Sequence, residues 1–224
     1  MKIGFVIADE NEYIPFLNFA KENNCKESIR RNRESVEFTY AGKELVAVKA
    51  GIGKVNAATT AAFLIADDKV DTIINFGLSG AISGFQKNDI VAGASYIECD
   101  FDLTVIGYPL GKKPQDTYRY EADKNLFDTA MKIEGMKKAE CGCGDLFLAD
   151  PVKKNLFKET FGINEFDMET GAVASVCHDA DIPFLAIRQI SDTADDAAVE
   201  SYRELNDQCP ATLTETVRKL LEMM

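Results

Sequence analysis

The 224-residue chain contains no tryptophan and a single histidine, His178. A Ser-His-Asp or Cys-His relay would therefore have to run through His178. That residue falls in a helical segment, 171–180, away from the loops that carry the motifs below, and reads as a surface or helix-terminal side chain. Acid–base chemistry is left to carboxylates. Cysteine is thinly spread, at Cys25, Cys99, Cys141, Cys143, Cys177 and Cys209. No pair has C-x-x-C spacing, so neither a disulfide framework nor a zinc site is expected. Cys141-Gly142-Cys143 and Cys177-His178 read as buried, reduced thiols rather than metal ligands. Positive charge is the scarcer sign: 25 Lys and Arg face 37 Asp and Glu, a net charge of −12. That balance repels a phosphate backbone and argues against a nucleic-acid partner. No apolar run approaches the roughly 18 residues a membrane helix needs. The opening Met1-Lys2-Ile3-Gly4-Phe5-Val6-Ile7-Ala8 is too short and too weakly basic for a signal peptide. It reads as a first strand, and the chain is expected to be cytoplasmic with no membrane partner.

What is present, 46% hydrophobic and 28% charged residues, is the profile of a folded domain. The length fits one domain over residues 1–224. Short apolar runs predict strands at 2–8, 36–40, 45–49, 72–76, 90–99, 136–143 and 183–190. Helical spacing predicts helices at 10–23, 124–133, 151–159 and 170–179, one with Val55, Ala58, Ala62 and Ile65 on a face that ends near Asp67-Asp68, and a C-terminal one striped by Leu213, Val217, Leu220 and Met224. Pro15 fits only the first turn of its helix, and Pro210 starts or kinks the last one. Residues 77–81, Gly-Leu-Ser-Gly-Ala, read as a glycine-rich turn. Strand–helix alternation implies a three-layer α/β/α sandwich around a mixed, mostly parallel sheet. Ligands gather at the carboxyl ends of strands in such sheets, which singles out loops 9–12, 51–54, 77–81, 144–148, 167–171 and 191–195. Segment 100–122 lacks periodicity, and loops that long are usually functional.

Each motif alone has a structural explanation. In Gly51-Ile52-Gly53-Lys54, Lys54 precedes Val55 rather than Ser or Thr, so the pattern is not a P-loop. The third glycine of a dinucleotide fingerprint is also missing. Glu12 in a first helical turn satisfies the helix dipole. Asp192, with Asp195 and Asp196 behind it, reads as a helix cap.

The conjunction is more informative. Asp-Met-Glu-Thr-Gly-Ala at 167–172 and Ile-Arg-Gln-Ile-Ser-Asp-Thr-Ala-Asp at 187–195 follow Glu12, Gly51-Ile52-Gly53-Lys54-Val55-Asn56-Ala57-Ala58, Ile73-Ile74-Asn75, Asp100-Phe101-Asp102, Gly107-Tyr108 and Gly144-Asp145-Leu146-Phe147. In that order they resemble the purine nucleoside phosphorylase superfamily and, within it, the methylthioadenosine/S-adenosylhomocysteine nucleosidases. The resemblance spans essentially the whole chain. It implies a nucleoside phosphorylase-like fold and a cofactor-free, metal-free hydrolase that splits an adenine nucleoside into base and ribose derivative. It implies Asp192 as the acid that protonates the base, oriented by Ser191. Glu12 corresponds to the residue that holds and deprotonates the attacking water, with Arg188 beside that water. Glu169 would accept hydrogen bonds from the ribose hydroxyls over Met168, Phe147 would stack on the base, and backbone groups of Leu148 would read its edge. Ile52 and Leu103 would line the 5′ end with Ile106, Tyr108 and Pro114 of a neighbouring subunit, which implies a homodimer.

Some positions depart from the pattern. Leu78 replaces a serine of the glycine loop, Asp9 replaces a methionine near the 5′ group, and Tyr202 replaces a phenylalanine that closes that pocket. Superfamily phosphorylases clamp phosphate with arginines, one of them just before the 77–81 loop. Here that strand ends Ile73-Ile74-Asn75-Phe76, which favours water over phosphate as nucleophile. The rivals are a phosphate-using phosphorylase and a nucleoside-binding protein without catalysis. Glu12, Glu169, Arg188 and Asp192 together disfavour the second, because a pure binder needs no general acid.

Overall fold

Apolar side chains alternate along β1 (Lys2–Ile7). Ile3, Phe5 and Ile7 join one buried cluster and Val6 another, as a strand covered on both faces requires. The computed structural model describes residues 1–114, 117–194, 198–208 and 211–224. After β1 come α1 (Glu10–Glu22), β2 (Lys26–Arg30), β3 (Arg33–Tyr40), β4 (Lys43–Lys49), α2 (Lys54–Ala66), β5 (Thr72–Ala81) and β6 (Ile90–Glu98). A 3-10 turn at Thr104–Ile106 precedes β7 (Arg119–Glu121), α3 (Lys124–Ala130), β8 (Lys137–Cys143), α4 (Pro151–Phe161) and β9 (Glu165–Asp167). The chain continues through α5 (Thr170–Asp179), β10 (Phe184–Asp192), α6 (Ala198–Asn206) and α7 (Ala211–Met223).

The sheet is mixed: five of the pairings among the described residues are parallel and five antiparallel. β1 lies between β4 and β5, parallel to both. Beyond β4 the chain meanders antiparallel through β3 to β2, with a tight turn in which Ala41 and Gly42 take φ of 47° and 74°. On the other side β5 pairs with β10, β10 with β6, β6 with β8, β8 with β9, and β9 returns to β5. These five strands therefore close into a ring, with the β4–β2 wing extending from it. One face packs Phe16, Leu126, Val217 and Leu220 of α1, α3 and α7; the other packs Ala61, Leu64, Val173 and Cys177 of α2 and α5.

The structure corrects several readings. Residues 77–81 are not a turn but the second half of β5, hydrogen-bonded to β10 and β9 on its two sides. Pro15 lies in the second turn of α1, beyond the first-turn position its missing N–H would favour. Strands β2, β7 and β9 and helix α6 carry too few apolar residues to announce themselves. β2, Lys-Glu-Ser-Ile-Arg, is an edge strand with no fully buried residue. Cys209, Pro210, Asp195 and Asp196 lie outside the described residues. His178 is exposed in the last turn of α5, its ring 5.4 Å from that of Tyr120. Cys99, Cys141, Cys143 and Cys177 are buried free thiols. Among the described residues no helix is long and apolar enough to cross a membrane, and no His, Cys, Asp and Glu cluster could hold a metal ion.

Candidate active site

A cavity of about 330 Å³ opens where β1, β8, β9 and β10 reach their carboxyl ends, along the second half of β5. Its wall includes Asp9 and Glu12 from the start of α1, Leu78, Ser79 and Gly80 from β5, and Ser191 and Asp192 from the end of β10. Ala8, Leu146, Phe147 and Leu148, Phe166 to Glu169, Ile52 and Tyr202 complete it.

The first carboxyl is seated by helix chemistry. Asp9 is the N-cap of α1, accepting the Asn11 N–H at 2.8 Å, and Glu12 closes a reciprocal capping box by accepting the Asp9 N–H at 3.2 Å. The other Glu12 oxygen accepts the Leu78 N–H at 2.7 Å. Only glycine fits opposite it, because a Cβ on Gly77 would stand 2.7 Å from Glu12 Oε1. Burial pushes the Glu12 carboxyl up to about 7, against the Leu78 N–H and the Arg188 charge, which pull it down. Near neutral pH it can therefore both take and release a proton.

The second carboxyl ends β10. Asp192 Oδ1 accepts the Ala194 N–H at 2.8 Å, and Oδ2 lies 2.7 Å from the Ser191 hydroxyl. That hydroxyl is also 3.1 Å from the Ser79 carbonyl. Gly80 pairs with Asp192 across the strands, and a Cβ there would stand 2.9 Å from Asp192 Oδ1. Two glycines of one strand thus make room for two carboxyls from different elements.

Arg188 does not line the cavity. It is wholly buried behind the wall, with Nε 3.2 Å from Asp167 Oδ2 and Nη2 bonded to Asn75 Oδ1. Burial opposes its charge, but Asp167, Glu169, Glu165 and Glu12 together hold it protonated. Asp167 and Asn75 hold Nε and Nη2, whereas the buried Nη1 has no hydrogen-bond partner among the described residues; Arg188 also acts on Glu12 and Glu169 through its field. Asp167 also accepts the N–H groups of Glu169 at 2.7 Å and Thr170 at 2.8 Å, and the Thr170 hydroxyl at 2.7 Å.

Glu169 precedes α5 and is buried; its Oε1 accepts the Gly53 N–H at 2.9 Å. Burial and the Asp167 charge raise its pKa. Gly53 has φ of 98° and supplies no side-chain cap, so Glu169 and Asp145, which accepts the Lys54 N–H at 2.8 Å, cap α2 from other loops. The Lys54 ammonium is held by Glu98 and Asp100 at 3.1 and 2.7 Å and points away from a phosphate-loop role.

The remaining wall is largely apolar. Phe147 is 41% exposed, and its ring stands 5.4 Å from that of Tyr202 at 69°. Leu148 and Leu78 are buried, Met168 is half-buried, and Ile52 lies at the rim. Leu103 is not brought to the cavity. Its segment folds on itself, with the Gly111 N–H donating to the Phe101 carbonyl at 2.8 Å and Lys113 paired to Glu98. Ile106, Tyr108 and Pro114 lie on the same segment, exposed and outside this chain's cavity. The motifs that contain Asp167, Asn75, Gly77 and Gly80 assign them no role, and no sequence signal marks Glu165. Glu165 is wholly buried in the short strand β9, and burial together with the Asp167 charge pushes it up to about 8. Its sequence context, Asn-Glu-Phe-Asp, carries no apolar run to signal a buried strand.

A family profile described as "Phosphorylase superfamily" matches residues 2–223. The chain is similar to the 5′-methylthioadenosine/S-adenosylhomocysteine nucleosidase of Halalkalibacterium halodurans, 37% identical over 210 residues that cover 91% of this chain and 90% of that one. It is similar to the nucleosidase of the same description from Bacillus subtilis, 31% identical over 230 residues covering 99% of each. Among solved structures, it superposes on the nucleosidase of S. pneumoniae with the transition-state inhibitor MT-ImmA at a TM-score of 0.92 and 27% identity, over 100% of this chain and 99% of that one. The Helicobacter pylori nucleosidase with butyl-thio-DADMe-Immucillin-A gives a TM-score of 0.96 and 25% identity over the same shares.

Proposed function

The chain belongs to the 5′-methylthioadenosine/S-adenosylhomocysteine nucleosidase family of the phosphorylase superfamily, and on that premise we propose that it hydrolyses the N-glycosidic bond of an adenine nucleoside. The products are free adenine and a ribose derivative. One observation carries the reading: two carboxyls, Glu12 and Asp192, meet at one cavity whose described wall holds no Lys or Arg. A phosphate dianion would find no charge clamp there, whereas water needs only a base.

Glycosidic cleavage passes through an oxocarbenium-like sugar, and the purine must leave uncharged. Asp192 donates a proton to the base as the C–N bond breaks and its electron pair passes to the ring. The Ser191 hydroxyl, 2.7 Å from Asp192 Oδ2 and 3.1 Å from the Ser79 carbonyl, orients the acid. Glu12 holds the water, takes its proton and leaves hydroxide character to attack the anomeric carbon. Arg188 favours the ionised form of Glu12 from behind the wall. Glu169 receives the ribose hydroxyls above Met168, Phe147 stacks on the base, and backbone groups of Leu148 meet its edge.

The working protein is a cytoplasmic homodimer of single-domain subunits, residues 1–224. Exposed Val105 and Ile106, 92% and 65% accessible, support a second copy lending Ile106, Tyr108 and Pro114 to the site. Purified protein is incubated with 5′-methylthioadenosine with and without phosphate. Hydrolysis releases adenine and a free sugar in both; a phosphate requirement and a sugar 1-phosphate product would replace this reading with phosphorolysis.

A further inference from the structure

The wall near the start of α1 combines apolar and charged character in an unusual way. Ile52 and Leu78 stand there with Asp9 and Tyr202. The Gly51 N–H donates to the Ala8 carbonyl at 3.2 Å, so the Ile52 loop adjoins Asp9. Capping α1 requires a side-chain oxygen, not a charge; serine or asparagine would cap as well. The helix N-terminus makes a carboxylate tolerable without a cation, and Lys49, at the end of β4, is taken by Glu10 and Glu34. Burial raises both the Glu12 carboxyl and the Tyr202 phenol, and the nearby Asp9 charge adds a smaller push to each. A thioether against this carboxylate offers it no hydrogen bond and displaces the water that solvates it. A hydroxyl or ammonium replaces that water.

We propose that Asp9 is a specificity-determining residue that reads the 5′ substituent of the nucleoside. It selects groups that donate a hydrogen bond, a 5′-ammonium above a 5′-hydroxyl and both above a thioether. The assignment rests on the nucleosidase reading, which places the 5′ end of the sugar beside Asp9.

Adenine release is measured without phosphate for the unaltered protein, Asp9→Ser and Asp9→Asn. The substrates are 5′-amino-5′-deoxyadenosine, adenosine and 5′-methylthioadenosine. Both replacements retain a helix-capping oxygen. The unaltered protein should favour the 5′-amino nucleoside over the methylthio one in kcat/KM by about tenfold or more, the scale of one hydrogen bond to a charged group. Asp9→Ser should abolish that preference. Asp9→Asn, whose amide oxygen still accepts, should keep the hydroxyl preference and lose the added advantage of the ammonium. Equal ratios in the three proteins, or an unaltered protein that prefers the thioether, overturn the proposal and leave Asp9 as a helix cap. If no nucleoside releases adenine, it is the hydrolase reading that fails. The ratio of the three dissociation constants, by calorimetry on the same proteins, then decides the role of Asp9.

Discussion

Glu12 and Asp192 are both short-range neighbours of backbone N–H groups, yet their surroundings ask different things of them. Glu12 accepts two N–H groups and still titrates near 7, because burial outweighs both. As the base it must be ionised, so the acid limb of kcat/KM should rise with pH up to about 7. Glu12→Gln should remove this limb together with most turnover, which a pH–rate profile reads directly. For Asp192, Asp192→Asn should retain the fold and nucleoside binding while losing roughly 10²–10⁴-fold in turnover, the usual worth of a general acid. Single-turnover adenine release and calorimetric binding separate the two effects; near-normal turnover would remove Asp192 from the mechanism. Glu165 offers a stability test with no catalytic role attached. Its carboxyl is raised in the folded chain, so its contribution is fully present below the ordinary carboxylate range and is lost as pH rises through about 8. The unfolding free energy should therefore fall between pH 5 and pH 9. Glu165→Gln should flatten that fall by an amount on the order of a few kcal/mol, measured as denaturant midpoints at the two pH values.

β5 shows how an element was legible by composition and misread by conformation. Its glycines mark residues 77–81 as special, and glycine in such a run ordinarily means a turn. Here the backbone is extended, and each glycine is the missing side chain that lets a carboxyl from another element approach. The signal that separates the two meanings lies in what packs opposite, which a sequence does not display. Gly77→Ala should therefore displace Glu12, with its Cβ 2.7 Å from Oε1, and lower kcat about 100-fold or more, on the scale of losing a general base. Because the strand keeps its pairings, the thermal midpoint should move far less than activity does; a large midpoint loss would make Gly77 a packing residue. The long amphipathic helices and buried strands were readable from periodicity, whereas the capping box of Asp9 and Glu12 at the start of α1 emerges only in the fold. Strands β2, β7 and β9 were not, since three or five mostly polar residues have no period. Leu103 shows the opposite failure: its motif neighbourhood was recognised, but the fold of segment 101–114 carries it away from this chain's cavity.

At the scale of the molecule, the strand ring and the site share one polar tie. Arg188 belongs to β10, Asp167 to β9 and Asn75 to β5, and all three strands belong to the ring. The pairs β10–β5 and β5–β9 are already joined by backbone ladders, so the tie adds a charge-assisted link among three strands in a dry interior. Both Arg188 and Asp167 side chains are only 1% accessible. Desolvating such a pair costs nearly what it gains, but removing one partner leaves the other buried and uncompensated. Asp167→Asn should therefore destabilise the fold by about 3–5 kcal/mol. It should also weaken activity, because Asp167 fixes the backbone turn that carries Glu169 to the cavity. The contrast is Arg31–Asp67, an exposed pair at 2.7 Å with side chains 62% and 50% accessible. Asp67→Asn there should change stability by about 0–1 kcal/mol. Urea unfolding of the two variants side by side checks the argument: comparable small losses would mean that water reaches Arg188 and the ring interior is not dry. A large loss confined to Asp167→Asn would place the closure of the sheet and the seating of Glu169 under the control of one buried carboxylate.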